Sequence, residues 1–548
     1  MLINVPLTTE LKFRTNNTSK DSKMVNCFKE SLPSGKTLAI KRPGKASYPI
    51  TPVLDAPGQG LWTYNNNLYA VTNGNLYQIT GGASSLITSG LDPTNTISWV
   101  NTLATTSPRP YMVFHDQVSG WSLDATGTVV KINDQVAGVT LVSGGTGYTA
   151  TTGTFTITGT TGSGAGGTYI SDGNAVTSVT LTSSGSNYSG TLAVVFDVGG
   201  DAVATPYLNS FPQNPVPGLV YLDGYVFAMD QQGQIFQSNN ENPNIWGPLN
   251  YTSAVSEADK GKAIARHLNY IVAFKEWTAD FFYDAGNESG SVLAINQSAH
   301  MEIGCADGNS IQNPEQTLIW MATVVEGGRA IMLLDGLSPR QISTKAVETF
   351  LNASNLTGTY SWLYKIAGHT LYGLVLTDQN VTLVYDIQEQ EWHTWTTSKD
   401  FIGGGENYFE CSFVTQFPFN SGNFYVLDAI NGLVFTLSPN NYVDPFGPIR
   451  MRIVTDRMDF DTYAFKTGYG LTIFGDNIKD VMQVRHTEDD YENWSQYRNI
   501  DLNLQKPCLY QLGRFRRRAY EFLYTGYQPL RLEKVEFNIN GRLEATAE

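Results

Sequence analysis

The hydrophobic and polar positions of this chain recur as pairs of short strands joined by tight turns. The clearest unit is LWTYNNNLYAVTNGNLYQI at residues 61–79, where two apolar strands flank a turn rich in Asn. It recurs as LVYLDGYVFAMDQQGQIFQS at 219–238 and as FYVLDAINGLVFTLS at 424–438. Because side chains alternate along a strand, one set is placed to pack against a neighbouring layer. The pattern predicts a series of β-hairpins.

More divergent units begin at residues 111, 264, 319 and 369. Apart from one interruption, the units recur at roughly 50 residues, the spacing of four-stranded propeller blades. We therefore predict an all-β fold whose main part is a β-propeller of six or seven blades. Unrelated hairpins in several sandwich domains are the alternative.

One stretch interrupts this spacing and carries a repeat of its own. The sequence VTLVSGGTGYT at 139–149 returns as VTLTSSGSNYS at 179–189, so that Tyr148 matches Tyr188. We predict a small β-domain over residues 136–208, inserted into a propeller loop, since surface loops tolerate insertions. A disordered linker is less favoured, because the stretch is rich in β-branched residues.

The two ends of the chain differ from the middle. Residues 1–50, with AIKRPGKAS at 39–47, are predicted to be a polar N-terminal arm and a first strand. The propeller is then expected over residues 51–135 and 209–447. Residues 448–548 are predicted to form a C-terminal β-layer or closing blade.

Composition and charge agree with a β protein and narrow the function. The 548 residues include Gly 52, Tyr 29 and Phe 26, residue types that suit turns and strands, and only 16% are charged. The net charge of −15 disfavours a surface that grips phosphates, but it suits an acidic wall past which DNA slides. No apolar run is long enough to span a membrane, and we expect no secretion signal. The four cysteines are Cys27, Cys305, Cys411 and Cys508. Their wide spacing indicates neither a zinc site nor a disulfide framework, so we expect free buried thiols in a reducing cytoplasm.

A search for catalytic motifs finds none. The histidines lack metal-ligand spacing, nucleophile and phosphate-loop patterns are missing, and the acidic run at 486–494 lacks the glycine of a calcium loop. We expect no catalytic, cofactor-binding or metal-binding residue. The alternative function is that of an enzyme, a propeller glycan hydrolase, or that of a carbohydrate-binding module without catalytic activity. A hydrolase needs two carboxyl groups roughly 5–10 Å apart across a central pocket. The acids beside predicted blade strands are Asp223, Asp230, Glu276, Asp335 and Asp386.

Tryptophans recur at blade-like positions. Packing between blades explains them more simply than stacking on sugars, because large rings supply much of the buried area. These residues are Trp62, Trp121, Trp277, Trp320, Trp392 and Trp395.

Several segments resemble the packaged-DNA stabilisation proteins of short-tailed bacteriophages. They are AIKRPGKAS with GQGLWTYNNNLYAVTNGNLYQI at 58–79, the segment at 280–322 that contains DFFYDAGNESG and MEIGCADGNSIQNPEQTLIWMA, and LDGLSPRQISTKAVETFL at 334–351. The resemblance implies a tail hub or nozzle without catalytic activity, built as a homo-oligomeric ring of six subunits below the portal and adaptor proteins. Such a ring continues the DNA channel, retains the packaged genome without sequence-specific binding, and carries fibres or tailspikes.

The resemblance also implies a location in the virion tail, after assembly in the cytoplasm of the host bacterium. Basic residues in two clusters are predicted to contact acidic neighbours or DNA, with solvated surface charge as the alternative. They are Lys41, Arg42, Lys45, Arg514, Arg516, Arg517 and Arg518.

Overall fold

The described residues form seven blades, an inserted β-domain and a sandwich built from both chain ends; blade 5 has three strands and each of the other blades has four. The computed structural model describes residues 2–7, 11–12, 21–48, 56–102, 111–198, 200–254, 256–288, 290–324, 327–398, 405–418 and 422–541. The predicted all-β propeller fold is confirmed, with seven blades among these residues.

The N-terminal segment is woven into the fold. It contributes β1 (Leu2–Val5), β2 (Lys23–Val25), β3 (Cys27–Ser31), β4 (Thr37–Lys41) and β5 (Gly44–Ser47). Within the described residues, the prediction of a polar arm over residues 1–50 is therefore wrong. Each strand finds a pairing partner, and four of the five pair with strands from the far end of the chain.

Blades 1 and 2 are consecutive antiparallel sheets. Blade 1 comprises β6 (Gly58–Tyr64), β7 (Asn67–Thr72), β8 (Asn75–Thr80) and β9 (Ala83–Ser89); blade 2 comprises β10 (Ser98–Asn101), β11 (Tyr111–His115), β12 (Gly120–Asp124) and β13 (Val129–Lys131). Asn65 and Asn66 make the first hairpin turn with φ of 43° and 56°. Tight hairpin turns need this left-handed conformation, and Asn tolerates it better than most residues.

The inserted domain follows blade 2. It comprises β14 (Val136–Ser143), β15 (Thr152–Thr158), β16 (Thr161–Ser171), β17 (Val176–Ser189), β18 (Ala193–Phe196) and β19 (Val203–Leu208). One sheet has the order β17-β16-β15-β18, and β14 pairs with β19. The N–H of Tyr148 donates to the carbonyl of Asn174, and that of Tyr188 donates to the carbonyl of Asp134. The tyrosine of each repeat therefore bonds the residue that lies five positions before the other repeat begins.

Blades 3 to 5 continue the ring. Their strands are β20 (Val220–Leu222), β21 (Tyr225–Met229), β22 (Gln234–Gln237) and β23 (Tyr251–Ser253); β24 (Gly261–His267), β25 (Tyr270–Lys275), β26 (Ala279–Asp284) and β27 (Leu293–Ile295); and β28 (Leu318–Thr323), β29 (Arg329–Asp335) and β30 (Ser338–Gln341). Residues 303–312 take the innermost place in blade 5. They are bridged to β28 at Gln312–Ile319 and to the residue that follows β28 at Ile303–Val324. Short 3₁₀ turns lie at Gln297–Ala299 and Gly308–Ser310.

A helix that the sequence pattern did not predict precedes blade 6. The helix α1 (Lys345–Ala353) begins after Thr344, whose side chain accepts the N–H of Val347, and it buries Ala346, Val347 and Leu351. Blade 6 comprises β31 (Thr359–Ile366), β32 (His369–Leu376), β33 (Val381–Asp386) and β34 (Glu391–Ser398), and β35 (Glu406–Tyr408) pairs with β34.

Blade 7 closes the ring with a strand from the start of the chain. It comprises β36 (Phe413–Gln416), β37 (Phe424–Leu427) and β38 (Val434–Ser438), and β5 supplies its outermost strand. Its innermost strand β36 lies between β31 of blade 6 and β6 of blade 1. The propeller is therefore closed by pairing between the two ends of its own sequence.

The C-terminal region is a two-sheet sandwich fused to blade 6. Its strands are β39 (Val443–Asp444), β40 (Gly447–Pro448), β41 (Met451–Val454), β42 (Lys466–Gly475), β43 (Val481–Thr487), β44 (Arg498–Asp501), β45 (Cys508–Phe515), β46 (Ala519–Tyr524) and β47 (Arg531–Gly541). One sheet has the order β3-β4-β47-β42-β45, with β1 beside β47. The other runs β2-β41-β46-β43-β44 and continues blade 6, because β2 pairs in parallel with β34. Phe515, Phe522 and Phe537 are buried between the sheets.

Candidate functional site: the propeller channel and the buried cations

The centre of the propeller holds a cavity of about 510 Å³. Innermost segments of blades 2 to 7 line it, so its wall combines side chains that are far apart in sequence. A cavity of this size is in the range of small-molecule sites.

One side of the cavity is aromatic. Trp99 of blade 2, Tyr360 of blade 6 and Phe413 of blade 7 all line it. The ring of Phe413 lies 5.9 Å from that of Trp99 and 6.3 Å from that of Tyr360, both edge to face. Trp99 also stacks on the buried Trp62 at 5.2 Å, so its position is fixed by packing between blades.

The wall also carries three amide side chains from blade 5. The Nε2 of Gln312 donates to the carbonyl and hydroxyl oxygens of Ser361, both at 3.0 Å. The hydroxyl of Thr96 donates to Oδ1 of Asn309 at 2.7 Å. The Nδ2 of Asn313 donates to the backbone carbonyl of Arg266 at 2.9 Å. One end of each amide is therefore held by the protein.

Arg266 is the single charged side chain on the described part of this wall. The five acids that the sequence offered for a hydrolytic pair lie elsewhere. Asp230 accepts the N–H groups of Gln232 and Gln234 in its own turn, and Asp386 accepts a hydrogen bond from Nδ1 of His369 at 2.6 Å. The described wall therefore does not supply the two facing carboxyl groups of a glycosidase.

The first basic cluster lies inside the protein, where blades 6 and 7 meet the sandwich. Arg42 has no exposed side-chain surface, and its Nη2 lies 2.5 Å from Oδ2 of Asp444, which is equally buried. Its Nε donates to Oδ1 of Asn26 at 2.8 Å, and Nη2 also donates to the carbonyl of Thr396 at 2.7 Å. The guanidinium lies over the ring of Phe409 at 4.8 Å. The positive charge of Arg42 is therefore compensated by groups of the same protomer.

The two neighbouring lysines are held in the same way. Lys45 is buried 3.4 Å from Oδ2 of Asp428 and donates to the carbonyl of Glu410 at 3.2 Å. Lys41 donates to the carbonyls of Tyr442 and Gly526 at 3.1 and 2.5 Å. Burial, together with the nearby charge of Arg42, lowers the pKa of Lys41 to about 7.

The second basic cluster is divided between the interior and the surface of the sandwich. Arg518 is buried, with Nη2 2.5 Å from Oε1 of Glu488. Arg514 and Arg516 lie over the ring of Phe465 at 4.3 and 4.1 Å, and Arg517 is half-buried.

Burial therefore contradicts the predicted partner contacts of Lys41, Arg42, Lys45 and Arg518, because internal carboxylates and carbonyls already hold these charges. For Arg514, Arg516 and Arg517 the contact with acidic neighbours or DNA stays a prediction.

The structure also describes the cysteines, candidate metal ligands, helices and tryptophans that the sequence analysis considered. Cys27, Cys305 and Cys411 are buried and unpaired, and burial raises the pKa of each thiol. Among the described residues, no three His, Cys, Asp or Glu side chains gather as a metal-binding group. No helix in the described ranges is long and apolar enough to cross a membrane. Trp277 is 40% exposed, so the prediction that it packs between blades is wrong.

The fold is that of a β-propeller protein, and part of the sequence matches a family of bacteriophage propeller proteins. Residues 211–441, which span blades 3 to 7 as far as β38, match the family model described as Bacteriophage P22 Gp10, beta-propeller. Two of the segments that suggested the phage family, 280–322 and 334–351, lie inside the matched region, and the resemblance is confirmed there.

Comparison with solved structures adds little. The computationally designed Ika8 protein is 12% identical with a TM-score of 0.33, covering 72% of this chain and 99% of its own. The N-terminal domain of Nup159 is 8% identical with a TM-score of 0.33, covering 76% and 98%. YCF48 bound to D1 peptide is 10% identical with a TM-score of 0.33, covering 73% and 98%. At such TM-scores these likenesses carry no weight. No curated protein matches the chain.

Proposed function

We propose that this chain forms a ring in a short phage tail, below the portal and adaptor proteins. Six copies continue the DNA channel, help retain the packaged genome, and carry fibres or tailspikes on the outside. The ring assembles in the cytoplasm of the host bacterium and remains in the virion. The match of residues 211–441 to a phage propeller family is the observation that carries the proposal.

The path of the DNA lies between subunits in this proposal. The cavity at the propeller centre, about 510 Å³, has the size of a small-molecule site and is far too small for a duplex. The outer surfaces of several copies must therefore surround the DNA. A ring closed by rotation uses two different faces of each copy, which an asymmetric protomer with a propeller and a lateral sandwich supplies.

Charge is consistent with a passive channel wall. The net charge is −15, and like charges along a channel keep DNA from adhering. Arg42 and Lys45, which the sequence offered as DNA contacts, are neutralised inside the protomer by Asp444 and Asp428. These two cations therefore do not supply the surface positive charge that tight phosphate binding requires.

The inserted domain over residues 136–208 is proposed to be a separate unit that makes contacts outside the propeller. Its described surface carries hydroxyl groups and exposed β-branched side chains such as Val142 and Ile170, at 65% and 54% exposure. It contains no Lys or Arg.

Phage particles made without this protein test the proposal. We expect such particles to package DNA but to release it, so that their genome becomes sensitive to added nuclease. Supplying the purified protein during maturation should restore resistance. Full, nuclease-resistant and infectious particles assembled without the protein would contradict a role in genome retention.

A further inference from the structure

We propose that the propeller cavity binds one sugar unit of a glycan, without hydrolysing it. This binding site is additional to the structural role above and does not depend on it. The inference rests on two unlike sets of residues in the cavity wall: three aromatic rings and three anchored amides.

A pyranose ring likewise has an apolar face and a polar edge. One of its faces presents polarised C–H groups, which the negative face of an aromatic ring attracts, and its edge carries hydroxyl groups. Trp99, Tyr360 and Phe413 supply a continuous aromatic side, because neighbouring rings are 5.9 and 6.3 Å apart. The cavity, about 510 Å³, accommodates a monosaccharide with its bound water.

The amides of the wall are anchored on the protein, and each keeps one polar atom for a sugar hydroxyl group. Gln312 uses Nε2 to bond Ser361, Asn309 uses Oδ1 to accept from Thr96, and Asn313 uses Nδ2 to bond the carbonyl of Arg266. The other polar atom of each amide makes no hydrogen bond to the described residues. Because each amide has both a donor and an acceptor, this leaves one donor and two acceptors. A sugar hydroxyl both donates and accepts, so mixed groups of this kind suit it.

The charges of the wall decide between binding and catalysis. The described wall carries no carboxylate, and general acid catalysis with a second carboxyl group is how most glycosidases act. Arg266 is fixed at the wall, since its Nε donates to the carbonyl of Leu268 and its Nη1 donates to that of Tyr221, both at 3.0 Å. A sugar with a carboxylate gains from this guanidinium, whereas a neutral sugar does not.

Direct binding measurements on the full-length protein test the proposal. The probes are methyl glucopyranoside, methyl galactopyranoside, N-acetylglucosamine and glucuronate, followed by saturation-transfer NMR and calorimetry. We expect saturable binding of at least one probe with a millimolar Kd. Preference for glucuronate would assign the ligand to an acidic glycan, and preference for another probe to a neutral one. Failure of all four probes to bind saturably would overturn the proposal.

Matched variants locate the binding. Trp99→Ala removes a ring of the aromatic side, and Asn313→Ala removes an exposed amide from the polar side. Each should weaken binding about tenfold. Trp277→Ala and Asn503→Ala remove the same residue types from outside the cavity and should leave the Kd unchanged. Thermal unfolding checks each variant, and if Trp99→Ala does not fold, Asn313→Ala decides alone. Equal affinity for Asn313→Ala and Asn503→Ala would show that any sugar binds elsewhere, and the proposal would fail.

Discussion

Arg42 and Asp444 form an ion pair in which neither side chain has exposed surface, with Nη2 2.5 Å from Oδ2. Arg42 also bonds Asn26 of the N-terminal segment and the carbonyl of Thr396 in blade 6. One guanidinium therefore joins the start of the chain, the propeller and the segment that leads into the sandwich.

Asp444→Ala is expected to destabilise the protein by about 3–5 kcal/mol, because it leaves the guanidinium of Arg42 buried without its counter-charge. Glu315→Ala removes the partner of Lys365, a pair at 2.9 Å with both side chains more than half exposed, and should cost about 0–1 kcal/mol. Urea unfolding followed by circular dichroism measures both. Equal losses for the two variants would show that the buried pair is not a structural junction.

Replacing both partners separates charge from packing. The double variant Arg42→Met, Asp444→Leu removes the charges while keeping apolar volume, so it should be more stable than Asp444→Ala. A double variant less stable than Asp444→Ala would instead assign the stabilisation to the remaining hydrogen bonds of Arg42.

Removal of the inserted domain should leave a folded propeller. The N–H of Asn209 donates to the carbonyl of Gln135 at 2.9 Å, so the ends of the domain meet and a short Gly-Ser link can join them. Thermal unfolding of the deletion variant should remain cooperative, with a midpoint close to that of the full chain. A collapse of thermal stability would make residues 136–208 part of the core.

Within that domain, Tyr188→Phe should destabilise the sheet around β16. The buried hydroxyl accepts the N–H of Ala165 at 2.9 Å and donates to the carbonyl of Ile157 at 3.0 Å, and Phe leaves both groups unsatisfied. The expected cost is about 1–3 kcal/mol, seen as faster amide hydrogen exchange in residues 161–171. Tyr527→Phe, at a side chain that is 61% exposed, should not change exchange there. Unchanged exchange in Tyr188→Phe would show that the hydroxyl group of Tyr188 does not stabilise this sheet.

Stability should fall as pH decreases from 6.5 towards 4. Burial lowers the pKa of His115 and of His393 to about 4, below the value of 6.5 for an exposed imidazole. In this window the unfolded chain binds protons that the folded chain does not, so the free energy of unfolding decreases. Urea titrations across the range measure this, and His393→Phe should give a shallower dependence. An identical slope in that variant would contradict the lowered pKa of His393.

The same pH series should show an opposite effect from His369. Its hydrogen bond to Asp386 raises the pKa of the imidazole. The stabilisation from this pair is complete below 6.5 and is lost as pH rises through the raised pKa. His369→Gln should therefore remove a decrease in stability on the alkaline side of neutrality. If the decrease in stability persists in the His369→Gln variant, titratable groups other than His369 cause it.

Local patterns predicted the blades because each hairpin is encoded within a short stretch. The Asn65–Asn66 turn and its alternating flanks at residues 61–79 are one such case. The strands that complete blade 7 and extend blade 6 gave no such signal. Ser47 of β5 pairs with Phe435, and Val25 of β2 pairs with Thr394, so their partners are nearly 400 residues away.

The basic clusters illustrate a second limit. Lys and Arg are rarely buried unless paired, so surface contacts were the natural expectation for Lys41, Arg42 and Lys45. The partners of Arg42 and Lys45, Asp444 and Asp428, lie in distant segments, and no spacing rule connects them. The flanking apolar pattern TLAIK at residues 37–41 was the available hint, because it marks Lys41 as part of a strand. The cavity wall was hidden for the same reason, since six blades contribute to it.

Imaging the purified protein mixed with the portal–adaptor complex of its phage tests the central claim most directly. Single-particle electron microscopy should show six copies closed into a ring below the adaptor, with the DNA channel continued between subunits and each propeller separate from it. A protein that stays monomeric and never caps the complex, at concentrations where the adaptor binds the portal, would contradict the account.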